Sequence, residues 1–215
     1  MRKCMLYLMM VVTVVALGAC SPDENIEPGT PGTENPENPA NPGESGDSGA
    51  DSDSPSGEPK ILVAYFSWSG TTQRMAQEIV RQTGAVLFRI EPEVPYPTGY
   101  TECTEVALAE KNSNARPDIA KTVENWDDYD TVFIGCPVWW WTTPMIICTF
   151  AESYDFKGKT VVPFCTYAST YRDETLARIV ELTHDAEHLA GEGLTSGRVN
   201  EQNISSWLKE IGVIK

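Results

Sequence analysis

Between residues 20 and 59 there is not one Lys or Arg, the whole chain of 215 residues has two His, and no cysteine pair has the spacing CxxC. Residues 60–215 hold 14 Lys and Arg against 21 Asp and Glu, a net −7, so nothing offers the basic stripe a nucleic acid needs. His184 and His188 have no third ligand to complete a metal site, and they read as solvated surface with no metal expected. Cys103, Cys136, Cys148 and Cys165 read as small apolar core residues. The loop GxxxxGK[ST] is missing, which excludes a phosphate-transfer P-loop, and so is the dinucleotide turn GxGxxG. No apolar run reaches the roughly 20 residues of a membrane-spanning helix.

The longest apolar run, "MLYLMMVVTVVAL", follows Arg2 and Lys3 and precedes "GAC". A positive start, a short apolar stretch and a small-residue cleavage site predict a secretory signal over residues 1–19. Leu17-Gly18-Ala19-Cys20 resembles the lipobox of bacterial lipoproteins, which implies lipidation at Cys20 and a membrane anchor outside the cytoplasm. From Ser21 to Pro59 the chain holds ten acidic residues, eight Pro and six Gly, with Ile26 as its only large apolar residue. Too little apolar surface is present to offset ordering entropy, so residues 20–59 are expected to be a disordered, self-repelling tether.

Residues 60–215 are long enough for one substantial core. Apolar β-rich runs at 61–66, 86–90, 131–136 and 160–165, with a weaker fifth within 186–199, predict strands. Helical periods cover 71–83, 101–111, 144–154, 172–183 and 201–211. Strands alternating with helices predict a three-layer α/β sandwich with a five-stranded parallel sheet. Right-handed crossovers and this size favour the strand order 2-1-3-4-5, which makes the first and third strands neighbours. Their ends open on one rim, bringing together the loops 67–72, 137–144 and 166–171.

The first loop suits an anion. N–H groups at a helix start are unpaired and the helix dipole favours negative charge there. Ser67, Ser69, Thr71 and Thr72 supply hydroxyl donors, and Gly70 allows close backbone approach. With no Lys or Arg in the turn, a phosphate held there suits a bound cofactor and no phosphoryl transfer. An ordinary capped helix start is the plainer explanation of the same residues. The second loop places Trp139, Trp140 and Trp141 where a planar ring would lie, and aromatic stacking adds about 0.5–1.5 kcal/mol to area burial. A receiver domain is excluded because Phe66-Ser67 lacks its acidic residues. Six residues separate Cys165 from Arg172 where a low-molecular-weight phosphatase loop needs five.

"ILVAYFSWSGTTQRMA", "EPEVPYPTGY", "VFIGCPVWWWTTPM" and "ISSWLKEIG" together resemble the flavodoxin family, in its branch with a Pro-x-Trp-Trp loop, over residues 60–215 in order. The resemblance implies noncovalent FMN. It implies that Ser67, Ser69, Gly70, Thr71 and Thr72 hold the phosphate and that Pro137, Val138, Trp139 and Trp140 flank the ring. Thr166, Tyr167, Ala168 and Ser169 would form the loop on its other side. Two departures stand out: Trp141 replaces the family's small residue, and the 166–171 loop is poor in glycine. Cys136 and Cys165 fall at matching positions on strands expected to be neighbours, within reach of a disulfide.

The reading is an envelope-anchored FMN redox protein, exchanging electrons with NAD(P)H, a quinone or a redox protein, and touching the membrane through its anchor alone. No general acid or base is identifiable. The other reading, from a different class, is a flavin-free flavodoxin scaffold serving as a binding or structural lipoprotein.

Overall fold

The computed structural model describes residues 60–215; the signal, Cys20 with its lipobox and the acidic tether lie outside the described residues. A parallel sheet runs through the centre. Its strands are β1 (Ile61–Tyr65), β2 (Val86–Arg89), β3 (Thr131–Pro137), β4 (Thr160–Tyr167), and the short β5 (Glu187–His188) and β6 (Glu192–Thr195). The order is β2-β1-β3-β4-β5, with β6 also paired to β4, in agreement with the order expected from the sequence. Strands buried on both faces need apolar residues throughout. In β3, Val132 through Cys136 are all buried.

Helices α1 (Thr71–Thr83) and α5 (Glu201–Glu210) cover one face. Met75, Ala76 and Ile79 of α1 and Ile204, Trp207 and Leu208 of α5 pack there on Val63, Phe133 and Phe164. On the other face α3 (Met145–Glu152) and α4 (Arg172–Leu182) bury Ile146, Ile147, Phe150 and Ile179 against Leu62, Val132 and Ile134. The remaining helix, α2 (Tyr100–Ser113), lies beside α3. Helix ends carry recognisable stops: Gly84 after α1 takes φ 71° and returns its N–H to the Val80 carbonyl at 2.8 Å. The Asn200 side chain caps α5 by accepting from the Asn203 N–H at 3.0 Å.

The fifth strand expected within 186–199 is instead broken in two. Val161 pairs with His188, yet Phe164 pairs with Glu192, so Leu189, Ala190 and Gly191 stand opposite only two residues of β4. The cause lies in β4. Pro163 has no N–H to give the ladder, and Gly191 lies so close that a Cβ there would sit 2.6 Å from the Pro163 carbonyl oxygen. The bulged chain is still satisfied, because the Trp207 indole N–H donates to the Ala190 carbonyl at 2.9 Å. His184 is exposed, whereas His188 therefore sits in a strand and is half-buried, unlike the solvated surface residue expected. Its ring meets the Thr183 hydroxyl at 2.9 Å, and burial lowers its pKa.

Cys136 and Cys165 are direct partners in the β3–β4 register, and both are free thiols, as are Cys103 and Cys148. Burial raises the Cys136 pKa well above its ordinary value and pushes the Cys165 thiol up to about 12, the Arg172 charge opposing it only in part. Protonated, buried thiols are poor nucleophiles. Among the described residues no helix is long and apolar enough to cross a membrane.

Candidate functional site

Every parallel strand opens its C-terminal end on the same rim, and a cleft of about 780 Å³ lies there. It falls toward the upper part of the roughly 300–1,000 Å³ range of ligand pockets. Three stretches supply most of its wall: Ser69 and Thr71 after β1, Pro137 to Trp141 at the end of β3, and Thr166 to Tyr171 at the end of β4.

The first turn is built around Gly70, which takes φ 86° and so precedes α1 in a conformation that suits glycine. As the N-cap residue it has no side chain to satisfy the helix's first N–H groups, and no acidic residue stands in the first turn. Those N–H groups remain available to an outside anion. Ser67 and Thr72 act differently from Ser69 and Thr71. Ser67 is buried, and its hydroxyl oxygen accepts from the Gly70 N–H at 3.1 Å, so it shapes the turn from beneath. Thr72 is also buried, with its hydroxyl 2.7 Å from that of Thr166. This bond ties the first loop to the end of β4, two stretches 94 residues apart. Neither Ser67 nor Thr72 lines the cleft; Ser69, Thr71 and Thr166 do.

The three tryptophans have three separate tasks. Trp139 is wedged edge-on between Phe66 at 5.2 Å and Tyr96 at 5.1 Å, joined to the core while still bordering the cleft. Trp140 fastens the loop sideways, its indole N–H donating to the Thr104 carbonyl of α2 at 2.8 Å. Trp141 turns outward and is 55% exposed, stacking obliquely on Tyr171 at 5.9 Å with the Lys111 ammonium 4.6 Å from its ring centre. The backbone explains why this position favours a small residue. Trp139 and Thr142 exchange hydrogen bonds of 3.0 and 3.1 Å, making a two-residue hairpin turn with Trp140 at φ 44° and Trp141 at φ 71°. Turns of this shape normally use Asn or Gly. A left-handed conformation costs other residues roughly 1–2 kcal/mol each. Tyr171, at φ 63°, is a third aromatic in this region at the same cleft. Trp141 thus stands at the cleft wall itself, more than half exposed.

Sequence reasoning missed two walls. The first is one face of α2, where Tyr100, Cys103, Thr104 and Ala107 line the cleft at spacings of three and four. That spacing was readable; its direction was not. The second is Thr195, Ser196 and Gly197, which follow β6. The rule that all strand ends share a rim would have pointed to them had the fifth strand been placed more closely. Ser196 also accepts from the Arg74 guanidinium at 3.0 Å, linking this wall to α1. Arg172, beside the cleft, is already engaged: it pairs with Glu192 at 3.1 Å and with Asp173, and donates to the Gly191 carbonyl. Burial would lower its pKa, but these partners raise it overall. None of the cleft-lining residues is Asp, Glu, Lys, Arg or His.

The donor set fits a phosphate ester carrying a planar ring: hydroxyls and free helix N–H groups at one end, indoles and Tyr167 along the middle. A family model described as Flavodoxin matches residues 60–211. A solved structure of a candidate flavoprotein from Bacteroides eggerthii DSM 20697 is 37% identical, with a TM-score of 0.64, covering 72% of this chain and 98% of that one. Another, from Bacteroides uniformis ATCC 8492, is 30% identical at a TM-score of 0.63, covering 70% and 98%. A flavoprotein from Lactobacillus acidophilus NCFM, solved in complex with FMN, shares the fold at 22% identity and a TM-score of 0.59, covering 70% and 99%. Among curated proteins, none matches the chain.

Proposed function

The chain belongs to the flavodoxin family, and from that premise we propose that it is an FMN-binding redox protein of the bacterial cell envelope. The observation that carries the cofactor is the pairing, in one uncharged cleft, of an uncapped helix start at Ser69–Thr71 with the indole loop 137–141. The FMN held in the Lactobacillus relative supports the same assignment.

Ser69, Thr71 and the first N–H groups of α1 hold the phosphate, while Ser67 and Thr72 keep that turn in shape from beneath. Trp139, Trp140 and Val138 would flank the ring on one side, and Thr166 to Ser169 on the other. When bound, FMN supplies one-electron or hydride chemistry, which no side chain here provides. The protein's part is position and environment. The hydrogen bond from Trp140 to α2 and the Thr72–Thr166 bond hold the two sides of the cleft in register with each other. NAD(P)H oxidation stimulated by a quinone distinguishes an enzyme from a passive electron carrier. A lipid on Cys20 would tether the domain to the membrane surface, and Cys20→Ser is expected to move the protein from the membrane fraction to the soluble one.

Titrating the ligand-free full chain with FMN tests the central claim. Tryptophan fluorescence is expected to be quenched and to saturate near one equivalent, with riboflavin binding more weakly because it lacks the phosphate. A sample that shows no saturable response to FMN would leave the flavin-free scaffold as the better reading.

A further inference from the structure

No cation lines the cleft, yet Arg74 stands directly behind its wall, bonded to the cleft residue Ser196. We propose that Arg74 and Ser196 together are a specificity determinant for the phosphate end of the site. Ser196 donates to the phosphate, and Arg74 orients that hydroxyl and supplies the positive charge that separates a phosphate monoester from the uncharged alcohol of the same ring. The proposal rests on the flavin reading above and adds two residues to it.

Three observations carry it. The first is position. The start of α1 crosses the end of β4, where the Thr72 and Thr166 hydroxyls lie 2.7 Å apart. Thr166 pairs with Leu194 of β6 and Tyr167 with Thr195, so Ser196 begins where that register ends. Thr195, Ser196 and Gly197 line the same cleft as Ser69 and Thr71. Arg74 bonds its backbone N–H to the Gly70 carbonyl at 3.0 Å and its guanidinium to the Ser196 hydroxyl at 3.0 Å, which sets Ser196 beside the phosphate turn. The second is the direction of that bond. A serine hydroxyl has one proton and two acceptor sites, and a guanidinium can only donate. Arg74 therefore takes an acceptor site and leaves the proton of Ser196 for an acceptor in the cleft. A hydroxyl polarised in this way is a better donor, above all to an anion. The third is charge. Arg172 is held by Glu192 and Asp173, and Lys111 lies over the Trp141 ring. Among the described residues Arg74 makes no ion pair. Its charge adds to the helix dipole at a start that has no acidic residue.

The test titrates the ligand-free full chain with FMN and with riboflavin, following tryptophan fluorescence, in the wild type and in Arg74→Gln, Arg74→Lys and Ser196→Ala. Both side chains are exposed, so the substitutions spare the core and solvent screens part of their effect. Arg74→Gln and Ser196→Ala are each expected to weaken FMN by about five- to tenfold and riboflavin by less than about twofold. The double variant should lose little more than either single one, because the two residues act through one another. Arg74→Lys keeps the charge and a donor and should recover most of the FMN affinity. Raising NaCl from about 50 mM to about 500 mM shortens the Debye length roughly threefold, and should weaken FMN more in the wild type than in Arg74→Gln. Equal loss of FMN and riboflavin would give Arg74 a merely structural role and overturn the proposal. So would full FMN affinity in Arg74→Gln or Ser196→Ala, or costs that simply add in the double variant. A wild-type chain that binds no flavin overturns the flavin reading and this proposal together, whereas one that binds FMN while both single variants keep its preference over riboflavin overturns this proposal alone.

Discussion

Ser69→Asp is expected to lower FMN affinity by about a hundredfold while leaving the ligand-free protein as stable as before, or slightly more so. The two effects have opposite signs because the same feature produces both. Ser69 lies in the cleft wall one residue before the N-cap Gly70, and the first turn of α1 has no acidic residue. A carboxylate placed there meets the positive end of the helix dipole, worth about 0.3–1 kcal/mol. A bound phosphate would meet that carboxylate instead. Two unit charges 4 Å apart repel by about 4 kcal/mol at an effective dielectric of 20. Ser69 is exposed, so solvent reduces this figure, and about 2.7 kcal/mol corresponds to the hundredfold loss. Thermal melts of the ligand-free chain and FMN titrations of the same samples read the two signs separately. Unchanged FMN affinity would remove the phosphate from this turn.

The second large effect belongs to the core. Phe164→Ala is expected to destabilise the domain by about 3–5 kcal/mol, the usual range for a buried Phe truncation. The Phe164 side chain is fully buried, and its ring lies against Gly135 of the neighbouring strand. A Cβ built on Gly135 would meet that ring at 1.9 Å, so the glycine is the space the ring occupies. For a domain of this size each kcal/mol shifts Tm by roughly 2–4 °C, so a fall of about 10 °C is expected. The reverse substitution gives an independent check. Gly135→Ala alone should cost about 1–3 kcal/mol by overpacking, and pairing it with Phe164→Leu should recover part of that loss. Strictly additive costs in the double variant would show that the two residues do not share this space.

Trp139 shows how far local reading reached. Its place after the third strand made it a ring-side candidate, and it does border the cleft, yet its ring is held between Phe66 and Tyr96 as a core residue would be. Trp141 shows the converse. A departure from the family pattern in sequence, it is carried on a turn with positive φ at 140 and 141 and lines the cleft while more than half exposed. Ser67 and Thr72 look equivalent to Ser69 and Thr71 as hydroxyl residues in one short turn. Which of them faces in depends on the Gly70 conformation and on the approach of Thr166 from the end of β4.

The alternation of strand and helix, the strand order and the meeting of three loops at one rim were determined by the sequence alone. Their causes are local periodicity and the handedness of crossovers, both of which act within a few tens of residues. Tertiary structure decided the rest: the break in the last strand opposite Pro163, the α2 wall, and the direction of each hydroxyl and indole. These depend on register and packing between segments far apart in the chain, where a shift of one residue changes which side chain faces the ligand.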